Sequence, residues 1–196
     1  MIYRDAVLSD MDAVARLHEI CFTDTFISSL GTKLISKYYE EYISEGGPFV
    51  LAIDGDSLVG LCMGYYSGSV AREAFIKKNV FALALRVIYL CASFNKVAWH
   101  KAWSFLLGRM KPRNGGKTDY EADLLSICVR PEYKGRGVSM CLVKEFEKRV
   151  VASGRNDLAL SVYKTNERAV AFYGKMGYVV GREDVSGYRM YKKLGE

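Results

Sequence analysis

The feature that most constrains the fold is a run of eight residues, Ala122 to Val129, in which the side chains are nearly all apolar. A strand with one face in water alternates apolar and polar residues, whereas a strand covered on both faces reads as a continuous apolar run. Pro131 ends this run, and from about Gly137 to Ala152 apolar residues recur at helical spacing. The order of strand, loop and helix predicts an α/β domain built around a central sheet.

Apolar periodicity and turn residues place further elements on both sides of this unit. Strands are predicted at Ile2–Val7, Phe49–Ile53, Leu58–Tyr66, Asp157–Val162, Tyr178–Glu183 and Gly187–Lys192. Helices are predicted at Met11–Cys21, at Thr32–Ser44 and from the cap residue Asn166 to Met176. At 196 residues the chain has the length of one domain. We therefore expect a single domain, residues 1–196, with a mixed, mostly antiparallel central sheet flanked by helices.

Residues 70–117 interrupt this rhythm and form a strongly basic segment. They hold ten of the 28 Lys and Arg residues but only one of the 22 acidic residues, so their net charge is +9. The rest of the chain keeps 18 bases and 21 acids, a net charge of −3, which excludes a generally basic nucleic-acid-binding surface. Aromatic residues are interleaved with the bases in a pattern typical of amphipathic helices. The segment is therefore predicted to be a helical insertion.

The composition also excludes several classes of protein and site. No apolar run approaches the roughly 20 residues that span a bilayer. Asp5 and Asp10 lie where a secretory signal needs an apolar core, so a cytoplasmic location is expected. The five cysteines lie far apart without a C-x-x-C pair, and the two histidines lack metal-binding spacing. Neither a disulfide framework nor a metal site is therefore expected.

The loop after the central strand has the parts of an anion-binding site. Lys134, Gly135, Arg136 and Gly137 alternate base and glycine directly before the predicted helix. Glycine lets backbone N–H groups approach a phosphate, and the first helical turn adds unpaired donors with a partial positive charge. The loop is therefore either a diphosphate-binding site or a tight turn with two solvated bases. It lacks the G-x-x-x-x-G-K-[ST] pattern of a nucleotide P-loop.

Two motifs in this half of the chain resemble signatures of the GNAT superfamily of acetyl-CoA-dependent N-acetyltransferases. Lys134 to Ser139 resembles the family's R/Q-x-x-G-x-G/A motif, from which Lys134 and Ser139 themselves depart. Asn166 to Tyr178 resembles a second signature, N-x-x-A-x-x-x-Y-x-x-x-G-F/Y. Lysine keeps the positive charge and serine is small, so both departures are compatible with phosphate binding. The resemblance covers the chain on either side of the basic insertion and implies the GNAT fold.

The same resemblance implies acetyl-CoA as co-substrate and assigns residues to it. The backbone of Ile127, Cys128 and Val129 would hold the pantetheine arm and the acetyl carbonyl. The diphosphate would be wrapped by Lys134, Gly135, Arg136, Gly137, Val138 and Ser139. Asn166 would also touch the cofactor, and Tyr173 would protonate the departing thiolate as general acid. The alternative role for Tyr173 is that of a core aromatic residue on an amphipathic helix.

The catalytic base has no match to the family pattern. In the ribosomal-protein subset of the family the base is a glutamate on the strand before the tyrosine helix, and the matching residue here is Ser161. The candidates are instead Asp123, at the start of the central strand, and a water held by Ser126 within that strand, with Glu121 weaker than either. The alternative roles are a solvated strand-end charge for Asp123 and a small side chain bonded to the backbone for Ser126.

The absent glutamate bears on the identity of the acceptor, because acetyl transfer needs a neutral amine. A lysine amine with a pKa near 10.4 is neutral about once in 2,500 at pH 7, a deficit of roughly 4.6 kcal/mol. An α-amine with a pKa near 8 loses only about 1.4 kcal/mol. We therefore expect a small-molecule amine of low pKa, such as an amino sugar or an α-amine, rather than protein lysine.

Three roles are open for the basic insertion. The first is a helical layer that packs on the domain or at a homodimer interface. The second is a lid that contacts the acceptor. The third and least favoured is a helix that lies on an anionic membrane surface through residues 70–110. Two alternatives to an enzyme also follow from the sequence. One is a catalytically silent acyl-CoA-binding or regulatory module, and the other is a membrane-associated interaction protein on the same fold.

Overall fold

The computed structural model describes residues 1–23, 25–92 and 120–195. Backbone contacts divide the chain into two compact units. The first, here called the sheet unit, comprises Met1–Ala6, Gly46–Ser67 and Thr118–Glu196, and the second, the helical unit, comprises Val7–Glu45 and Gly68–Lys117. The expected organisation as one domain stays a prediction.

A seven-stranded sheet forms the centre of the sheet unit, in the order β1-β2-β3-β4-β5-β7-β6. Its strands are β1 Ile2–Asp5, β2 Phe49–Asp54, β3 Ser57–Tyr66, β4 Ala122–Val129, β5 Asp157–Tyr163, β6 Val179–Glu183 and β7 Gly187–Lys193. All neighbouring strands run antiparallel except β4 and β5, which are parallel. The predicted mixed, mostly antiparallel sheet is therefore confirmed.

Helices occur in both units. Those of the helical unit are α1 Met11–Cys21, α2 Thr32–Ser44, α3 Ala71–Lys78 and α4 Val80–Ala92, and those of the sheet unit are α5 Val138–Ala152 and α6 Glu167–Lys175. The parallel pairing of β4 and β5 requires a crossover connection, which α5 supplies. None of the helices within the described ranges is long and apolar enough to span a lipid bilayer.

The core of the sheet unit joins one face of the sheet to α5 and α6. Leu142 and Phe146 of α5 lie fully buried in one cluster with residues of β2 to β5. Close approach of the backbones beneath α5 depends on Gly64, where a Cβ atom would lie 2.1 Å from the Asp123 carbonyl oxygen and 2.6 Å from the Phe146 ring. Any larger residue at this position would push β3 away from β4, the strand that carries the predicted cofactor residues.

The helical unit has its own buried polar contact. His18 is buried, with its Nδ1 atom 2.7 Å from the Tyr39 hydroxyl and its Nε2 atom 3.1 Å from the Ser28 hydroxyl. Burial lowers the pKa of His18 to about 4. The imidazole is therefore neutral at physiological pH and links α1 to α2 as a structural group.

The described part of the basic insertion is helical, as predicted. α3 packs on α2 through a cluster that includes Phe75 and Leu34. α4 leaves Phe81, Leu85 and Ile88 exposed. The remainder of the predicted insertion, residues 93–117, lies outside the described residues, so its three possible roles stay predictions.

Candidate functional site

The site is built around the point where the two parallel strands part. β4 and β5 pair at Ala122 with Leu158, at Asp123 with Ala159 and at Leu124 with Leu160. Beyond Leu124, β4 continues to Val129 along β3, while β5 continues along β7. Within the described residues, the second half of β4 therefore has no strand paired along the edge that faces β5. Backbone polar groups need partners, so this edge suits a ligand with amide groups.

A β-bulge lies at the same point of β4. Ser126 pairs with Met63 and Leu124 with Gly64, so Leu125 is the extra residue. Bulges bend a strand and change the direction of its groups, and they occur often beside active sites. Leu125 is 39% exposed, and Ser126 and Ile127 are partly buried. The expectation that this strand is covered on both faces is therefore wrong at Leu125, whereas Cys128 and Val129 at its end are buried as expected.

The loop after β4 has the geometry expected of a phosphate-binding turn. Gly135 and Gly137 have φ angles of +81° and +79°, values that side chains other than glycine rarely adopt. α5 starts at Val138, and its first helical hydrogen bond runs from the Cys141 N–H to the Gly137 carbonyl. The amides that precede this bond lack helical partners, and the N-cap residue, Gly137, has no side chain that could cap them. The loop thus presents backbone donors and the positive end of the helix dipole at one place.

The two bases of this loop remain on its surface. Lys134 and Arg136 are exposed, and the Arg136 guanidinium lies 5.2 Å from the centre of the Tyr133 ring. Exposed bases beside unpaired amides favour a doubly charged ligand such as a diphosphate. In the described ranges, no group of three or more His, Cys, Asp or Glu side chains lies close enough together to hold a metal ion.

Tyr173 lies in the core, on the sheet side of α6. Its side chain is 6% exposed and belongs to the cluster that contains Cys62 and Leu124. Burial, with a smaller contribution from Cys62, raises the pKa of its phenol well above the ordinary value. Every fully buried side-chain N or O atom in the described part of the chain has a hydrogen-bond partner. The Tyr173 hydroxyl forms no hydrogen bond with a described residue. The hydroxyl therefore reaches accessible space at the border of the core.

Asn166 caps α6, as the sequence predicts. Its side-chain oxygen accepts a hydrogen bond from the Ala169 N–H at 3.2 Å. This bond fixes the first turn of the helix that carries Tyr173. Contact of Asn166 with a cofactor stays a prediction.

The base candidate Asp123 is neither solvated nor free. It is 4% exposed, and one of its carboxylate oxygens accepts a hydrogen bond from the Arg189 guanidinium. A second guanidinium nitrogen of Arg189 donates to the Ser161 hydroxyl at 3.2 Å. Burial alone would lower the pKa of Arg189, but the Asp123 carboxylate raises it. The pair joins β4 to β7 across β5, which favours a structural role for Asp123.

Replacing Asp123 with asparagine is expected to destabilise the fold by about 3 kcal/mol, because it leaves the Arg189 charge, 15% exposed, without its partner. The measurement is the free energy of unfolding in urea. Replacing Lys148 with glutamine breaks an exposed ion pair with Glu145 and should cost less than about 1 kcal/mol. Equal losses in the two variants would contradict a structural role for the buried pair.

Nothing in the sequence alone singles out Arg189, or Arg182, which lies opposite it on the neighbouring strand β6. Alternate residues of a strand share a face, so the predicted final strand places Arg189 and Tyr191 together. This alternation is the one sequence pattern that could have indicated Arg189. The contacts of Arg189 with Asp123 and Ser161 depend on the strand order, in which β7 lies between β5 and β6. Sequence order would have placed β6 beside β5.

A family model supports the same interpretation of the chain. The model for the acetyltransferase (GNAT) family matches residues 11–178. An acetyltransferase of Yersinia pestis (strain Pestoides F) is 30% identical over 64 residues, which are 33% of this chain and 45% of that protein. The match thus spans less than half of the length of this curated relative.

Solved structures share the fold at low sequence identity. The PaiA N-acetyltransferase from Thermoplasma acidophilum, in complex with coenzyme A, has a TM-score of 0.60 and 16% identity, with 98% of each chain covered. The ribosomal-protein-S18-alanine N-acetyltransferase from Escherichia coli has a TM-score of 0.61 and 11% identity, with 100% of this chain and 94% of that chain covered. Together with the family model, which covers most of the sequence, they show that the chain belongs to the GNAT acetyltransferase family.

Proposed function

We propose that the protein transfers the acetyl group of acetyl-CoA to the nitrogen of a small primary amine. The observation that carries this proposal is the parting of β4 from β5 directly before a glycine loop and a helix start. An extended arm with amide groups suits the open edge of β4, and a diphosphate suits the amides of the loop. Family membership adds the acetyl-CoA chemistry to this geometry.

The residues divide between these two parts of acetyl-CoA. Ile127, Cys128 and Val129 offer backbone groups along the open edge to the pantetheine arm. Residues 134–139 surround the diphosphate with amides and two positive charges. The protein thereby holds the thioester beside the bulge at Leu125, where the acceptor amine attacks it.

Tyr173 acts as the general acid of the reaction. The acceptor nitrogen forms a bond with the acetyl carbon, the carbon–sulfur bond breaks, and Tyr173 gives its proton to the departing thiolate. The acceptor nitrogen releases one proton, and the Tyr173 phenolate takes one up through solvent, so the products are the amide and the free thiol of CoA. A phenol with a raised pKa is fully protonated before the reaction and regains its proton readily afterwards.

In this proposal, a group on β4 accepts the proton that the amine releases. Asp123 has one oxygen held by Arg189, whereas Ser126 is partly buried beside the bulge and can hold a water. Ser161, which stands where a family subset has a glutamate, carries no carboxylate and bonds with Arg189. A site without a free carboxylate suits an amine that is already largely neutral, such as an amino sugar or an α-amine.

The test has a binding arm and a turnover arm. Calorimetry should show acetyl-CoA binding to the folded protein, and CoA release should be faster with amino sugars or α-amines than with lysine peptides. A clear preference for lysine peptides would refute the acceptor class. Absence of acetyl-CoA binding would refute the function itself.

The second candidate function is a silent acyl-CoA-binding module. The engagement of Asp123 by Arg189 and the serine at position 161 favour it, because no free carboxylate is left on these strands near the bulge. This candidate predicts acetyl-CoA binding without release of CoA in the presence of any amine.

A further inference from the structure

A cavity of about 270 Å³ lies in the sheet unit beside the end of β5. Among the residues that line it are Ser161, Tyr163, Arg182, Asp184, Tyr188 and Arg189. Leu160 is the last residue of β5 that pairs with β4, and Ser161 follows it directly. The cavity therefore begins where the two parallel strands part, next to the proposed position of the thioester.

One wall of the cavity depends on a bulge in β6. Val180 pairs with Met190, but Arg182 pairs with Arg189, so Gly181 is the extra residue. In a regular ladder Gly181 would face Arg189, and the Arg182 side chain would point to the opposite face of the sheet. The bulge instead places both arginines opposite each other on one face.

The bulge requires glycine at its centre. A Cβ atom at Gly181 would lie 2.7 Å from the ring of Tyr191 and 3.0 Å from the hydroxyl of Tyr120. Both rings belong to a stacked pair with a centroid separation of 5.4 Å. Glycine at position 181 thus permits the bulge, and the bulge turns the Arg182 side chain to the face that carries Arg189.

The bulge brings two positively charged side chains opposite each other. Like charges directly opposite each other on neighbouring antiparallel strands destabilise the pair. Asp123 neutralises Arg189, but Arg182 is exposed and makes no ion pair or hydrogen bond with any described residue. Asp184 is the one acidic residue among those lining the cavity, which also carries two guanidinium groups. An anionic ligand would neutralise the charge of Arg182, to which no described residue bonds.

We propose that the Arg182 guanidinium binds an anionic group, a carboxylate or a phosphate, that the acceptor amine carries elsewhere in its structure. Ser161 and Arg189 form the inner end of the same subsite. A guanidinium binds both anions with two parallel hydrogen bonds, which would fix the distance between the anion and the reacting nitrogen. This inference rests on the proposed function and narrows its acceptor to amines with a negative group.

The experiment compares amines with and without the anion, and each rate is expressed per concentration of neutral amine, because the anion also raises the pKa of the amine. Glucosamine 6-phosphate is paired with glucosamine, and glycine with glycinamide, so the two arms separate phosphate from carboxylate. We expect kcat/KM to be at least about tenfold higher for the anionic member of one pair. Arg182→Gln should lower kcat/KM for that member about 10- to 100-fold, chiefly through KM, and leave the neutral member unchanged.

One control variant and a second readout complete the test. Lys148→Gln removes one exposed positive charge on α5, away from the residues that line the cavity, and should change neither kcat/KM nor acetyl-CoA affinity. Calorimetry of the same amines detects subsite binding without turnover, and that binding should disappear in Arg182→Gln. The proposal is overturned if neutral and anionic members behave alike in both readouts, or if Lys148→Gln and Arg182→Gln have equal effects. Loss of acetyl-CoA binding alone would overturn only the proposed function.

Discussion

Tyr173→Phe is expected to lower kcat for acetyl transfer by about 100- to 10,000-fold while leaving acetyl-CoA affinity and stability nearly unchanged. The substitution keeps the buried ring and removes a hydroxyl that bonds to no described residue. The thiolate must then leave without a positioned proton donor, which raises the barrier of the chemical step. Single-turnover measurement of CoA release at saturating acetyl-CoA gives kcat, and urea unfolding gives the stability.

Tyr178→Phe is the matched control for this variant. Tyr178 lies in the same core, and its hydroxyl donates a hydrogen bond to Glu147 at 3.0 Å. Its replacement should cost about 1–3 kcal/mol of stability, because a hydrogen bond to a charged group is lost, and should leave kcat nearly intact. The reverse pattern, or equal kcat losses in both variants, would remove Tyr173 from the chemistry.

The pH dependence provides an independent check on Tyr173. Burial and the neighbouring Cys62 raise the pKa of its phenol above the ordinary value of 10.0. A raised pKa means that the phenol keeps its proton until the pH exceeds that value. The rate should therefore rise with pH as the acceptor amine loses its proton, without a decline below pH 10 caused by loss of the acid.

The second large effect is expected in the glycine loop. The double variant Gly135→Ala, Gly137→Ala should weaken acetyl-CoA binding about 100-fold or more. Both glycines have positive φ angles, and an alanine there costs about 1–2 kcal/mol unless the peptide rotates. Rotation would turn backbone N–H groups away from the diphosphate, and each lost bond to a charged group costs about 1.5–3 kcal/mol. Calorimetric Kd values for acetyl-CoA measure the effect.

Gly154→Ala provides the control for backbone strain. Gly154 follows α5, has a φ angle of +77° and has no heavy atom within 4 Å of an added Cβ, as is true of Gly135 and Gly137. The same strain is therefore introduced outside the loop. We expect a comparable loss of stability per alanine and an unchanged Kd. If Gly154→Ala weakened binding as strongly, general destabilisation would explain the loop result.

The sequence predicts the family, the fold class and the loop because these depend on local patterns. The apolar run from Ala122 to Val129 and the spacing of Gly135 and Gly137 are visible without knowledge of distant contacts. The matching family model and the shared fold of solved structures confirm the predicted family. The assignments of Tyr173 and of the loop to acetyl-CoA stay proposals until they are measured.

The remaining features depend on contacts between distant parts of the chain. The ion pair of Asp123 with Arg189 follows from the position of β7 beside β5, and no local pattern reports that order. The bulge at Gly181 sets the direction of Arg182, and a one-residue register shift leaves almost no trace in a sequence. Leu125 is exposed within an apolar run at the bulge of β4, which is likewise a one-residue register shift.

The separation of β4 from β5 also gives this sheet an edge in its interior. Free strand edges are places where other extended chains add, and natural proteins usually cover them. Pantetheine lying there would act as a removable edge cover, so depletion of acetyl-CoA would expose a self-association surface as well as stop turnover. A ligand at 100 times its Kd adds about 2.7 kcal/mol to the stability of the form that binds it. The resistance of this protein to self-association in solution would then depend on the concentration of acetyl-CoA.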